Sequence, residues 1–214
     1  MILAKKASLI YQDHGREVFA CREIDLEVKT NEFLGILGPS GSGKSSLLYL
    51  LSGLKTPTKG EVIYNGTSIN AGSDEARARL RLEEFGFVFQ LPHLIGYLTA
   101  LENVMVACPG KDVKKEATDL LEILGLHDQL NRLPHEMSGG QKQRVCVARA
   151  LVGGRKAIFA DEPTAALDQK TGRQVVELLA EHRGEGSLVV VTHDPAMLER
   201  ADRIIKITDG TITE

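Results

Sequence analysis

Apolar and polar residues alternate over the first part of this chain. The alternation covers residues 2–11 and 18–28, on either side of a turn-like segment, and predicts an antiparallel hairpin. A further strand is predicted at residues 61–64, which end in Asn65 and Gly66, a pair favoured in hairpin turns. We therefore expect an N-terminal antiparallel β subdomain.

Short continuous apolar runs then alternate with helical patterns. Because strands buried on both faces read as unbroken apolar runs, this alternation predicts an α/β fold with a mixed, largely parallel sheet. The runs lie at residues 33–37, 85–89, 157–160, 188–191 and 204–207, and helices are expected at residues 45–54, 73–84, 169–182 and 195–199.

A helix-rich stretch interrupts this alternation. Thr99 and the glutamate three residues later have the spacing of a capping box, which starts a helix. From Val113, apolar residues recur at i, i+4, i+7, i+8 and i+11, as on one face of a helix. We expect an inserted α-helical subdomain over residues 91–153, within a single domain whose core is formed by residues 1–90 and 154–214.

The start of this insertion has an unusual composition. Residues 91–98 are apolar, but Pro92 and Gly96 interrupt them. The segment therefore fits neither a helix nor a strand pattern well, and we expect it to expose an apolar surface.

Composition excludes several classes of protein. Of the 214 residues, 43% are hydrophobic and 26% are charged, as in ordinary soluble proteins, and no apolar run approaches the ~18 residues of a membrane span. The N-terminus lacks the order of a secretory signal, which favours a cytosolic location. A net charge of −3 gives no field that would draw the chain to nucleic acid, so no such partner is expected.

Residues 38–45 fit the pattern G-x-x-x-x-G-K-[ST]. In that pattern, backbone N–H groups wrap a phosphate chain, the lysine neutralises it and the final hydroxyl holds magnesium. A strand enters the motif and a helix leaves it, which disfavours the alternative of a mere glycine- and serine-rich turn. We predict a P-loop NTPase core whose nucleotide is bound by Gly38, Pro39, Ser40, Gly41, Ser42, Gly43, Lys44 and Ser45.

Two carboxylates, Asp161 and Glu162, follow the apolar run at residues 157–160. Open α/β sheets bind ligands at the carboxyl ends of their strands. Asp161 is assigned to magnesium, and Glu162 to orienting or deprotonating an attacking water. The alternative is an acidic strand-to-loop junction without a catalytic role.

Three further residues have both a functional and a structural interpretation. Ser138 precedes two glycines and a helix, and is either part of a second anion-binding helix end or an ordinary N-cap. His193 ends a strand, and either contacts a γ-phosphate or is structural. Tyr11 either stacks on a base or is a half-buried strand aromatic.

These motifs, in this order, resemble those of the ATP-binding cassette (ABC) ATPases from end to end. The serine-glycine-glycine-glutamine run is the most specific element, because other phosphate-loop enzymes lack it. The resemblance rests on residues 38–45, Gln90, residues 137–141 with Gln143 and Arg144, residues 161–163, residues 166–168 and His193.

The resemblance implies an ATPase that uses ATP and Mg²⁺ and closes as a head-to-tail dimer. Each ATP would lie between the phosphate loop of one copy and the serine-glycine run of the other. For the nucleotide, the resemblance implies adenine stacking by Tyr11, phosphate contacts by Lys44, Ser45 and Ser46, and magnesium binding by Ser45, Gln90 and Asp161. For hydrolysis, it implies catalytic roles for Glu162, His193, Gln90 and Lys44. Across the dimer, it implies contacts by Ser138, Gly139, Gly140 and Gln141, and a link between the two sites by Asp168.

Residues 87–90, 93–94 and 98–104 look most like the branch that serves lipoprotein-release and macrolide-export permeases. That branch implies a cytoplasmic subunit, peripheral on the inner face of the membrane, that drives a separate permease. A soluble ABC-type ATPase acting on DNA or ribosomes is the alternative, although such proteins usually carry insertions or basic arms that this chain lacks. A small-molecule kinase is disfavoured because it does not need the serine-glycine run.

Overall fold

The computed structural model describes residues 1–110 and 112–213. The chain forms two compact units, one of Met1–Arg81 with Val189–Glu214 and the other of Leu82–Leu188. The predicted boundaries of the helical insertion, at residues 91 and 153, stay a prediction. No helix within the described ranges is long and apolar enough to cross a membrane.

The first unit contains the expected antiparallel subdomain. Its four strands, in the sheet order β2-β1-β4-β5, are β1 Ile2–Asp13, β2 Arg16–Val28, β4 Lys59–Tyr64 and β5 Thr67–Ser68. In the turn between β4 and β5, Asn65 and Gly66 have φ values of 46° and 82°. A two-residue turn of this type requires positive φ at both positions, so the predicted hairpin signal is confirmed.

The first unit also contains the strand that leads into the phosphate loop. This strand, β3 Phe33–Leu37, pairs in parallel with β9 Arg203–Thr208, which pairs antiparallel with β10 Thr211–Ile212. Helix α1 Lys44–Leu51 follows β3, and α2 Asp74–Glu84 begins near the end of the unit's first segment. Strand β8 Ser187–Thr192 is buried along its whole length.

In the second unit, the described residues form a parallel strand pair and four α-helices. Strands β6 Phe85–Val88 and β7 Ala157–Asp161 pair in parallel, and β7 is buried throughout. The helices are α3 Ala100–Met105, α4 Lys114–Ile123, α5 Gly139–Leu151 and α6 Gln169–His182. The parallel and antiparallel pairs together confirm the predicted mixed α/β architecture.

The capping box predicted at α3 is present. Thr99 Oγ1 accepts a hydrogen bond from Glu102 N (3.2 Å), and Glu102 Oε2 accepts one from Thr99 N (2.8 Å). These bonds to the backbone and hydroxyl of Thr99 favour the ionised carboxylate and lower the pKa of Glu102. The start of α3 is therefore encoded locally.

Two predicted elements differ in the structure. The helix expected at residues 195–199 is a 3₁₀ helix, Pro195–Leu198, whose first turn is closed by Asp194 Oδ1 accepting from Ala196 N (2.9 Å). Such a short, side-chain-capped turn adopts the tighter i→i+3 pattern instead of an α-helix. The strand expected to include Phe89 ends at Val88.

Replacing Gly86 tests the packing of α5 on β6. A Cβ at this position would lie 2.1 Å from Ala150 O, a backbone atom that cannot rotate away. We expect Gly86→Ala to lower the free energy of unfolding by about 1–3 kcal/mol, measured by urea denaturation. Gly96→Ala is the matched control, because a Cβ there would meet nothing within 4 Å, and an equal loss in both variants would contradict the packing argument.

Candidate functional site

The phosphate loop, residues 38–45, joins β3 to α1 in the first unit. Backbone atoms of neighbouring strands approach it too closely for side chains at two positions. A Cβ on Gly38 would lie 2.4 Å from Ile207 O, and one on Gly43, which has φ of 103°, would lie 2.2 Å from Ala20 O. Only glycine fits there, so the loop can pack its main chain against that of the strands.

Lys44 is buried, and its ammonium group lies over the loop. Nζ donates hydrogen bonds to Gly38 O (2.9 Å) and Pro39 O (3.0 Å). The loop's own carbonyls thus hold the positive charge in place. A cation held in this way is suited to neutralising a phosphate chain.

Among the described residues of the loop, the Ser42 hydroxyl is a buried polar group that lacks a hydrogen-bond partner. Its Oγ is buried and makes no hydrogen bond to any described residue, although its backbone N donates to Pro39 O (3.2 Å) and its backbone O accepts from Gly210 N (2.9 Å). An unpaired buried hydroxyl costs about 1–3 kcal/mol. A glycine cradle, a held lysine and an unpaired hydroxyl together fit the triphosphate of ATP.

Four other predicted residues lie in the first unit. Ser45 and Ser46 are half-buried in the first turn of α1, and His193 is exposed directly after β8. Tyr11, near the end of β1, is 41% exposed, which is compatible with both interpretations of its ring. Their nucleotide contacts stay predictions.

In the second unit, β7 ends with the two carboxylates. Asp161 is buried at 4% exposure, and Glu162 is half-buried with φ of 45°. Positive φ is rare outside glycine, and the following Pro163 further disfavours it, because a residue before proline is pushed toward extended conformations. Backbone strain of this kind, about 1–3 kcal/mol, clusters at active sites.

Sequence reasoning missed this backbone strain. The pair Glu162-Pro163 was the available signal, but proline predicts an extended neighbour and not a left-handed one. Only the structure therefore shows that the backbone of Glu162 departs from the extended conformation expected before proline.

Ser138 caps α5, as the sequence predicts. Its Oγ accepts from Gln141 N (3.3 Å), and its N donates to Gln141 Oε1 (2.8 Å). Ser138 and Gly139 are exposed, and Gly140 is half-buried, with Leu167 Cδ2 3.1 Å from where its Cβ would be. The cap is confirmed, whereas its use as an anion-binding end stays a prediction.

Asp168 has a comparable capping role at α6. Oδ1 accepts from Thr171 N (3.0 Å), and Oδ2 accepts from Thr171 Oγ1 (2.6 Å). These bonds, led by the hydroxyl of Thr171, lower the pKa of the Asp168 carboxyl. The loop before it turns back on itself, with Leu167 N donating to Thr164 O (3.0 Å).

Gln90 is exposed two residues after the end of β6, directly before the predicted apolar segment. Leu91 is 66% exposed and Tyr97 is 81% exposed, which agrees with the expectation of an exposed apolar surface. The segment is nevertheless held in place by Asn103, a fully buried residue that sequence reasoning missed. Its amide nitrogen donates to Ile95 O, Leu98 O and Thr99 O, and its oxygen accepts from Ile95 N.

A family model described as ABC transporter matches residues 21–165. The lipoprotein-releasing system ATP-binding protein LolD of Xanthomonas euvesicatoria is 47% identical over 198 residues, covering 89% of this chain and 81% of LolD. The macrolide export ATP-binding/permease protein MacB of Wolinella succinogenes is 42% identical over 219 residues, covering 100% of this chain but only 34% of MacB.

A solved bacterial ABC transporter cassette is similar in structure. Its dimeric form matches with a TM-score of 0.92 and 38% identity, covering 100% of this chain and 97% of that chain. A dimeric structure of its post-hydrolysis state, bound to ADP and Pi, matches with the same TM-score and coverage. The predicted fold class is confirmed by these structures.

Ser42→Ala tests the fit of the phosphate loop. Removing an unpaired buried hydroxyl should leave the free energy of unfolding without nucleotide unchanged or raise it by up to ~1 kcal/mol, while ATP affinity falls about tenfold. Calorimetric titration with ATP and urea denaturation measure the two effects.

Ser52→Ala is the matched control. Ser52 Oγ is paired, because it donates to Tyr49 O (3.3 Å), so its loss should lower stability and leave ATP affinity unchanged. Unchanged ATP affinity in Ser42→Ala would show that its hydroxyl does not contact the nucleotide.

Proposed function

This chain belongs to the ABC transporter family as an ATP-binding and ATP-hydrolysing subunit, and on that premise we propose that it dimerises on ATP to drive a separate membrane permease. The permease would be of the lipoprotein-release or macrolide-export type, by similarity to LolD and MacB. The observation that carries the dimer proposal is the exposure of Ser138 and Gly139 at the capped start of α5.

The phosphate loop would bind the triphosphate. Lys44 supplies the positive charge, Ser42 Oγ a free donor, and the loop residues from Gly38 to Ser46 the amides and hydroxyls around it. Tyr11 would stack on the adenine. The start of α1 adds the partial positive charge of a helix N-terminus.

Ser45, Gln90 and Asp161 would hold Mg²⁺. A hydroxyl, an amide oxygen and a carboxylate are hard oxygen donors of the kind that Mg²⁺ prefers. When bound, the ion would neutralise charge on the phosphates. Asp161 suits this role because a buried carboxylate is stabilised by a nearby cation.

Glu162 would take a proton from the attacking water. Its strained backbone sets the direction of the side chain at the end of β7, and such strain persists only when the surrounding structure enforces it. Gln90 would orient the water and His193 would hydrogen-bond the γ-phosphate. The reaction is ATP + H₂O to ADP + phosphate.

A second copy of the chain would complete each site. Ser138, Gly139, Gly140 and Gln141 present the N-terminus of a 13-residue helix, where backbone N–H groups favour an anion. In a head-to-tail dimer, that end would meet the ATP on the partner's phosphate loop. Asp168 would lie in the loop that links the two sites.

The permease would dock on the exposed segment that contains Leu91 and Tyr97. Asn103 holds the backbone of this segment, so its apolar side chains stay presented. The subunit would then be cytoplasmic and peripheral on the inner face of the membrane. The alternative of an ATPase acting on DNA or ribosomes is not favoured by the similarity to LolD and MacB, and no nucleic-acid partner is proposed.

Glu162→Gln tests the shared-site mechanism. Loss of the base should slow ATP hydrolysis by about 10²–10⁴-fold while leaving ATP binding intact, so that ATP and magnesium trap a stable dimer. Light scattering coupled to size exclusion measures the mass. Adding Ser138→Arg in the same background should restore the monomer without preventing ATP binding, and a monomer of Glu162→Gln itself with ATP bound would contradict the proposal.

Tyr97→Asp tests the docking surface. A charge at an exposed apolar contact should lower the fraction of the chain that sediments with membranes containing the permease, because the charge must be desolvated on docking. Leu82→Asp, at another exposed apolar residue, is the control. Equal sedimentation of both variants and the parent chain would place the permease contact elsewhere.

A further inference from the structure

One face of α5 holds the backbone around Gln90. Three residues spaced three apart on that helix each donate to main-chain carbonyls of residues 89–93. Gln143 Nε2 donates to Phe89 O (3.1 Å), Cys146 Sγ to Pro92 O (2.8 Å), and the Arg149 guanidinium to Pro92 O (2.9 Å) and His93 O (3.0 Å). The segment that carries Gln90 is therefore fastened to α5 on both sides of that residue.

Gln143 is the most informative of the three. It is fully buried, and its Oε1 has no hydrogen-bond partner among the described residues. A buried acceptor without a partner destabilises the fold, so an apolar side chain would suit this place better if stability were its only purpose. The side-chain amide of Gln143 contributes one hydrogen bond, from Nε2 to Phe89 O, and Phe89 directly precedes Gln90.

The side chains around this contact leave the segment little freedom. The Phe89 ring stacks on Phe87 at 5.6 Å and meets the edge of His93 at 5.8 Å. Burial raises the pKa of the Cys146 thiol to about 11, so it remains protonated and keeps its S–H for Pro92 O. Gln90 itself stays exposed between these anchors.

We propose that Gln143 is a positioning residue for ATP hydrolysis, which holds Gln90 at a set place relative to α5. This inference rests on the proposed role of Gln90 at the magnesium and the attacking water. Ser138 caps the same helix five residues earlier, which is about 7.5 Å along the helix axis. Helix α5 therefore carries, at its N-terminus, the residues that would meet a partner's ATP, and its Gln143 holds the backbone beside Gln90. A shift of α5 would move both.

Gln143→Met, Gln90→Ala and the double variant test this coupling. Methionine is close in volume and removes both the donor and the unpaired oxygen, so the fold should survive. We expect kcat for ATP hydrolysis to fall about tenfold in Gln143→Met, the equivalent of one hydrogen bond, with the KM for ATP changed by less than about twofold. In the double variant, Gln143→Met should slow the enzyme no further than Gln90→Ala alone, because it acts through Gln90.

This double-mutant cycle distinguishes a failure of the proposed role of Gln90 from a failure of the proposed positioning by Gln143. If Gln90→Ala hydrolyses ATP at the parent rate, the proposed role of Gln90 is wrong. If Gln90→Ala is slow and Gln143→Met multiplies that loss in full, Gln90 keeps its role and the positioning proposal is overturned. Gln174→Met, an exposed glutamine on α6, is the matched control and should keep the parent kcat.

A second pair covers the case in which Gln143→Met does not fold, as judged by thermal denaturation. Arg149→Met removes the donors to Pro92 O and His93 O, whereas Arg149→Lys keeps a cationic donor on a side chain of similar length. We expect kcat to fall in Arg149→Met and to recover at least partly in Arg149→Lys, with KM unchanged. Equal kcat values in the two variants would contradict the fastening of this segment by α5.

Discussion

The phosphate loop depends on the close approach of main chain to main chain. Ala20 O lies 2.2 Å from where a Cβ on Gly43 would be, and Ile207 O lies 2.4 Å from where one on Gly38 would be. A further contact, from Gly210 N to Ser42 O at 2.9 Å, fastens the loop to the turn after β9. The loop is thus shaped before any ligand arrives, and a preorganised site avoids the ordering cost on binding.

Several stability costs fall on functional positions. Among the described residues, the buried hydroxyl of Ser42 and the buried side-chain carbonyl of Gln143 have no partner, and Glu162 has a left-handed backbone before proline. Each costs about 1–3 kcal/mol, which is large against the ~5–15 kcal/mol stability of a typical domain. Such costs persist where function needs them, and each of these three positions adjoins a step of the ATP binding or hydrolysis proposed above.

The residues of the proposed reaction divide between the two compact units. The first carries the phosphate loop, Tyr11 and His193, whereas the second carries Gln90, the carboxylates at the end of β7 and the capped start of α5. Within the second unit, α3 and α5 hold the segment after Gln90 through its backbone, and the side chains of Leu91 and Tyr97 remain exposed. In the function proposed above, this region would serve catalysis through Gln90 and the permease through Leu91 and Tyr97.

Features encoded by neighbouring residues were predictable from the sequence alone. The hairpin turn at Asn65, the capping residues Thr99 and Ser138, the strand leading into the phosphate loop and the family motifs all depend on residues a few positions apart. Their geometry follows from local sterics and local hydrogen bonds, which a short stretch of sequence specifies.

Only the tertiary structure decided which groups are buried and which are strained. Gln143 bonds a carbonyl 54 residues earlier, and the Glu162 backbone is held in a conformation that its own proline neighbour opposes. The short helix after β8 is 3₁₀, which does not follow from periodicity. These properties arise from contacts between residues far apart in the chain, and a local pattern carries no information about them.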